Sequence, residues 1–290
     1  MKKKIGVGII TCNRPEYLRN LLSSLYKCNY DGLRSLYKCI YDELVIVDDG
    51  DEEYPYDSAL GHTYIKNEVN LGVGKSKNKA MQHLLDKECD YIFIIEDDMI
   101  IKRGDVFEQY IKTSNETGIL HLNYALGTPF NLKQNINFDL HNRHELNMDS
   151  KPNPKTIVEY KNNIKVELYE HICGMFSFFH KNVLNKIGLI DEQFYNAWEH
   201  VDHTYQTIKN QFHPPFWWFA DIFNSYEYLE PQSDSIKNSS TASNKAEWLD
   251  NVKLNADKYK IKNGMYPNET PKAVLAEVLN SLKIIKNKNG

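Results

Sequence analysis

The sequence predicts an α/β protein with a central, mostly parallel sheet flanked by helices. Three short apolar runs carry that reading: Ile5–Ile10, Leu44–Val47 and Tyr91–Ile95. They are rich in β-branched residues and lack polar alternation, as expected of strands buried on both faces. Segments with apolar residues at helical spacing separate them. Each run ends in polar or acidic residues, at the carboxyl edge where ligands of open α/β sheets bind.

Composition sets the bounds. A chain of 290 residues accommodates one α/β domain with additions, or two small domains. A net charge of −4 argues against a nucleic-acid partner, which would call for a basic face. The five cysteines are scattered, with no CxxC spacing, and suggest reduced thiols and a cytoplasmic protein. Lys2-Lys3-Lys4 and the following apolar run imitate a signal peptide, but Cys12–Glu16 ends the run too early. No run reaches the roughly eighteen apolar residues of a membrane span.

After the first strand, Thr11-Cys12-Asn13-Arg14-Pro15 forms a turn in which Asn13 can cap a helix and Pro15 suits its first turn. Leu18, Leu21, Leu22 and Leu25 give that helix one buried stripe. Ser24–Asp31 is nearly repeated eleven residues later as Ser35–Asp42, a local duplication read as a lengthened connection, with Gly32 arguing for a break. The second strand runs into Asp48-Asp49-Gly50-Asp51, either a solvated acidic loop or a strand-tip carboxylate that receives a base or ribose. Gly74-Lys75-Ser76 imitates a phosphate loop, but Val69 stands where that loop needs glycine. What remains is a turn opening a helix with Ala80, Met81, Leu84 and Leu85 inward. Lys75, Lys77 and Lys79 in its first turns oppose the macrodipole. They are either solvated or placed for a bound anion. The third strand ends in Glu96-Asp97-Asp98, three consecutive carboxylates that either face solvent or hold a hard cation.

Four segments in order, Ile9–Pro15, Val47–Gly50, Asn70-Leu71-Gly72 with Lys77-Asn78, and Ile95–Asp98, resemble the nucleotide-sugar half of family 2, GT-A-fold glycosyltransferases. The resemblance covers roughly residues 4–225. It implies that Thr11, Asp48 and Lys77 surround the nucleoside, with Asn13, Arg14 and Asp49 in the same donor site. Lys77 stands where the family often has arginine, which puts a bidentate contact in doubt. It further implies that Asp98 coordinates Mg²⁺ or Mn²⁺, with Glu96 and Asp97 on the sugar or ribose. Such an ion takes few protein carboxylates and completes its shell with diphosphate oxygens and water.

Beyond strand-like Ile119–Tyr124, residues 131–165 are rich in Asn, Lys and His without clear periodicity, and are expected to form a flexible segment on the acceptor side. Strand character returns over Tyr169–Phe179, followed by a short helix, Lys181–Ile187, and a turn to Phe194. At Trp198–His203 the family carries an acidic pair opening a helix, one member of which is the general base. Here His200 occupies one of those places, so Glu199 is implied as the base, with His200 and Asp202 as substitutes. The aromatic run Phe212–Phe219 is read mostly as core; by the resemblance His213 could reach the metal or diphosphate. Residues 226–290 form a polar tail with two helical patterns, near Lys245–Tyr259 and from Thr270-Pro271 onward. In the second, Lys283, Lys286 and Lys288 suit the dipole or an anionic lipid surface.

The resemblance therefore implies a GT-A domain over residues 1–225, divided into a nucleotide-sugar half (1–125) and an acceptor half (126–225), with a helical extension at 226–290. The implied reaction is metal-dependent transfer of a hexosyl or N-acetylhexosaminyl unit from a nucleoside-diphosphate sugar, UDP-linked by preference. The acceptor is a hydroxyl of a glycan, glycolipid or glycoprotein, and the reaction is inverting. A sugar nucleotidyltransferase shares the sheet and the acidic site, but it needs a glycine-rich loop after the first strand, and residues 11–15 contain no glycine. Retaining chemistry is the other alternative.

Overall fold

The structure, a computed structural model, describes residues 3–30, 39–51, 61–133, 151–232 and 245–290. In chain order its elements begin β1 (Ile5–Thr11), α1 (Pro15–Tyr30), β2 (Glu43–Asp48), β3 (Thr63–Lys66), α2 (Val73–Asp86), β4 (Tyr91–Glu96), β5 (Met99–Ile101), α3 (Val106–Thr117) and β6 (His121–Asn123). They continue with β7 (Thr156–Glu159), β8 (Lys165–Tyr169), β9 (Phe176–His180), α4 (Lys181–Ile187), α5 (Glu199–Lys209), β10 (Phe219–Ile222), β11 (Leu229–Pro231), α6 (Lys245–Asn263) and α7 (Leu275–Asn289).

The main sheet has the order β3-β2-β1-β4-β9-β6. The first four strands are parallel, and β9 runs antiparallel between β4 and β6. This is the mostly parallel, helix-flanked sheet that the apolar runs predict. Along β1 the pattern Ile-Gly-Val-Gly-Ile sends Val7 and Ile9 into the core on the α1 side, with Leu18, Leu21, Leu22 and Leu25. Each such buried side chain contributes about 1.5–3 kcal/mol. Gly6 and Gly8 let α2 approach the opposite face: a Cβ on Gly8 would lie 2.8 Å from the Cβ of Ala80, and one on Gly6 would lie 2.7 Å from Leu84. Ala80, Met81 and Leu84 are fully buried there, and Leu85 packs at the margin.

Two departures from the sequence reading concern the second half. Within 131–165 the structure builds β7, which joins β8 and β10 in a small antiparallel sheet. This strand alternates half-buried and exposed residues, so no apolar run announces it. Residues 134–150 lie outside the described part, as does Gly32 of the duplication. The stretch 169–179 contains the end of β8 and most of β9, separated by a turn.

The C-terminal helices are fastened by tryptophans. The indole N–H groups of Trp198, Trp217 and Trp218 donate to the carbonyls of Val252, Thr270 and Ala273 (2.9 Å each). Thr270-Pro271 therefore does not open α7. Its N-cap is Val274, whose N–H is taken by the Glu277 carboxylate at 2.9 Å. Val278, Leu282 and Ile285 bury against the main core, while Leu275 and Leu279 face out. Lys286 bonds Glu116 and Lys288 bonds the Asn210 carbonyl, so two of the three terminal lysines serve the protein's own structure. Among the described residues no helix is long and apolar enough to cross a membrane.

Candidate active site

Sheet register brings the polar strand ends to one edge. Thr11 pairs with Asp48 and Ile10 with Glu96. The N–H of Asp49 bonds Thr11 O (2.9 Å) and that of Asp97 bonds Ile10 O (3.0 Å), extending the ladder one residue past the strands.

The acidic triplet divides into three environments. Glu96 Oε1 takes the Lys77 ammonium at 2.7 Å. Asp97 is wholly buried; its Oδ2 accepts the Thr11 hydroxyl at 2.7 Å, and its other oxygen lies against the Arg14 guanidinium. Asp98 Oδ2 lies 3.4 Å from Arg14 Nη1, while its Oδ1 is buried with no hydrogen-bond partner among the described residues. Burial pushes the Asp97 carboxyl up to about 7 against the pull of Arg14. Asp98 is raised too, by burial first and then by the Glu96 charge. Three adjacent carboxylates served by one guanidinium and one ammonium are short of positive charge. From below, the Gln232 side-chain amide donates to the carbonyls of Asp97 (2.7 Å) and Tyr17 (2.8 Å). Its backbone N–H bonds Asp98 O at 2.7 Å.

The Asp48-Asp49 pair is not a solvated loop. Asp49 Oδ1 accepts Leu71 N–H and the Asn67 amide (both 2.7 Å), and Oδ2 accepts Gly72 N–H at 2.8 Å. The anion expected at the start of α2 is thus the protein's own Asp49, with Asn196 Oδ1 capping Val73 N–H at 2.9 Å. Both Asp49 oxygens accept hydrogen bonds from the protein itself, so its first role in the fold is to hold this turn. Asp48 Oδ1 takes Gly50 N–H (2.8 Å) and Oδ2 takes the Tyr64 hydroxyl (2.6 Å). Asn13 does not cap α1: it adopts a left-handed φ of 54° and exchanges hydrogen bonds with Asp51.

Lys77 is not solvated either. Its side chain is 4% exposed, and besides Glu96 it donates to Gly174 O at 3.0 Å. Burial lowers its pKa, but Glu96 and then Glu199 more than restore it. Gly174 leaves room for this arrangement: a Cβ there would sit 3.0 Å from that ammonium and 3.6 Å from the His200 ring. Glu199 opens α5, where the helix dipole favours a carboxylate. The chain enters α5 through Trp198 at φ 67°, an uncommon conformation for a bulky residue. Glu199 Oε1 accepts from His200 Nδ1 at 3.0 Å, and Oε2 is buried without a hydrogen bond among the described residues. Although burial raises it, the adjacent His200 and Lys77 hold the Glu199 carboxyl at about 2.

Two candidates lie elsewhere. Asp202 is buried against α6, where Lys262 Nζ (2.6 Å) and Asn263 Nδ2 (2.9 Å) take its oxygens; it anchors the extension and is not a spare base. His213 is buried with both ring nitrogens engaged by backbone, Nδ1 at 2.8 Å from Pro214 O and Nε2 accepting Ala220 N–H at 3.3 Å. Burial lowers its pKa to about 4. No lone pair remains for a metal, and the aromatic run that predicted core placed it correctly there. Conversely, Gln232, Gly174 and Asn196 carry no local signal, since each acts on a partner distant in sequence.

Among the described residues no three His, Cys, Asp or Glu side chains form a cage for a metal ion. The unpartnered Asp98 Oδ1 and the charge deficit around it do fit a hard cation held by few protein oxygens, with the rest of its shell supplied by a diphosphate and water.

A family model described as Glycosyl transferase family 2 matches residues 6–188, well over half of the chain. A search of curated proteins finds no match. Among solved structures, S. aureus TarS 1–349 in complex with UDP-GlcNAc is 17% identical, covering 99% of this chain and 74% of that one, with a TM-score of 0.48. The longer S. aureus TarS structure is 16% identical over 90% of this chain, TM-score 0.47, and this chain spans 46% of its length. A mannosyltransferase from Pyrobaculum calidifontis in complex with GDP-Man and Mn²⁺ is 14% identical over 72% of this chain and 53% of its own, TM-score 0.45.

Proposed function

The chain belongs to glycosyl transferase family 2, and from that premise we propose that it moves a glycosyl unit from a nucleoside-diphosphate sugar, a UDP-sugar in the first instance, to a hydroxyl of a glycan or glycoconjugate, with inversion. The observation that carries this reading is Asp98 at the tip of β4, a buried carboxylate with one oxygen unpartnered and too little positive charge nearby. Asp98 would hold Mg²⁺ or Mn²⁺, with Asp97 locked behind it by Thr11 and Arg14. When bound, the ion supplies charge neutralisation for the departing diphosphate. Arg14, partly exposed, offers a second cation to the same diphosphate once it releases Asp98. The pair Glu199–His200 at the head of α5 supplies the base that removes the acceptor proton.

The test is thermal stabilisation by UDP, GDP and their sugars, with and without Mn²⁺. Wild type should gain stability only when nucleotide and metal are present together, and Asp98→Asn should lose that joint effect while keeping its unliganded Tm within a few degrees. Equal stabilisation of Asp98→Asn and wild type would remove the metal assignment.

A further inference from the structure

Resting on that reading, we infer that the acceptor proton goes to Nε2 of His200, and that Glu199 is a positioning residue which holds the imidazole through Nδ1. The two side chains differ in access. Glu199 is 4% exposed. One of its oxygens is bound to His200, and the other is sealed from solvent. No acceptor hydroxyl reaches either without displacing the imidazole. The His200 side chain is 28% exposed. Its Nδ1 lies 3.0 Å from Glu199 Oε1, and Nε2 carries no hydrogen bond among the described residues.

A buried carboxylate on one ring nitrogen fixes the tautomer: Nδ1 keeps the proton and Nε2 presents its lone pair outward. The charge on Glu199 then stabilises the imidazolium formed during reaction. A carboxyl held at about 2 is itself a weak base at neutral pH, because Brønsted behaviour favours a group titrating near the working pH.

The groups around His200 are paired or buried. Lys77 from α2 and Glu96 from β4 meet beside Gly174, and Lys77 lines the same small pocket as His200. This ion pair is internally neutralised. His121 from β6 and His203 from α5 line the same small pocket. Burial lowers the pKa of both, leaving them neutral, and Cys173 is pushed up to about 12 and stays a thiol. His200 is the partly exposed imidazole of this set.

The step balances. The acceptor oxygen bonds to the anomeric carbon, whose bond to the diphosphate oxygen breaks, and that electron pair leaves with the diphosphate. The hydroxyl proton moves to His200 Nε2 and later to solvent.

The experiment follows nucleoside-diphosphate release from UDP-glucose, UDP-galactose, UDP-GlcNAc and GDP-mannose with Mn²⁺, water standing in for the acceptor hydroxyl. On the donor that wild type turns over, His200→Ala should lose about 100-fold or more in kcat with nucleotide affinity unchanged. Added imidazole should restore part of the loss. Glu199→Gln should lose about tenfold and shift the acidic limb of kcat/KM to lower pH, because the imidazolium loses its counter-charge. Circular dichroism and the more conservative His200→Asn separate misfolding from lost chemistry. The inference is overturned if His200→Ala and His200→Asn stay within about threefold of wild type while Glu199→Gln is inactive, or if imidazole restores nothing and the acidic limb does not move. Failure of wild type to bind any nucleotide would overturn the donor reading itself, a result distinct from either.

Discussion

Replacing Lys77 with methionine should destabilise the protein far more than replacing a surface lysine. The ammonium is 2.7 Å from Glu96, 3.0 Å from Gly174 O and 4% exposed. Methionine keeps the length of the side chain, leaves Glu96 without its nearest countercharge and takes from the buried Glu199 a second positive charge behind His200. Breaking a buried pair from one side costs about 3–5 kcal/mol. Glu96 retains 22% exposure, so water takes up part of its charge and the expected cost is about 2–4 kcal/mol. At about 2–4 °C per kcal/mol for a chain of this size, Tm should fall by roughly 5–15 °C. Adding Glu96→Gln should recover part of the loss, with a coupling of about 1–3 kcal/mol in the double-mutant cycle. Urea denaturation of the four proteins, monitored by tryptophan fluorescence, measures it. A Lys77→Met cost below about 1 kcal/mol, or no coupling to Glu96, would show that the lysine is solvated after all.

Asp202→Asn should cost about 1–2 kcal/mol by weakening the Lys262 bond, yet leave nucleotide affinity and kcat unchanged; a catalytic defect without a fall in Tm would return Asp202 to the site. Gln232→Ala removes the amide bonds to the carbonyls of Asp97 and Tyr17 and should cost about 1–3 kcal/mol while weakening metal-dependent nucleotide binding, and equal binding by calorimetry would separate it from the acidic triplet. Stability should also follow pH with a definite sign. Asp97 and Asp221, buried and raised to about 7 from 3.8, bind more protons folded than unfolded, so stability falls as pH rises through about 4 to 7. Glu199, held at about 2, works the other way: its contribution is full above about 4.5 and is lost as pH falls towards 2. The buried histidines His121, His203 and His213, lowered in the fold, oppose the two aspartates between about pH 4 and 6.5, so the check is differential: without metal, Asp221→Asn should lose less Tm than wild type between about pH 4 and 7, and parallel profiles of the two proteins would contradict this.

Legibility followed the range of the interaction. Val7, Ile9, the leucines of α1 and the run Tyr91–Ile95 reveal strands and helices because periodicity and propensity are local, and the short helix Lys181–Ile187 is recovered to the residue. Strand β7 escapes because half-exposed Thr156–Glu159 has no apolar run. The extension is legible as helices, but its attachment through three indoles to Val252, Thr270 and Ala273 depends on chain segments more than fifty residues apart.

The sequence by itself determined the sheet, the family and the acidic edge, since four short motifs in order leave little freedom of fold. Only the tertiary structure decided which of the carboxylates are available. Asp49, Asp202 and Glu199 look alike along the chain. Burial and the donors around them make the first a helix cap and the second an anchor for α6. They make the third a buried hold on His200. A carboxylate's role depends on its solvation and partners, and those are fixed by residues remote in sequence.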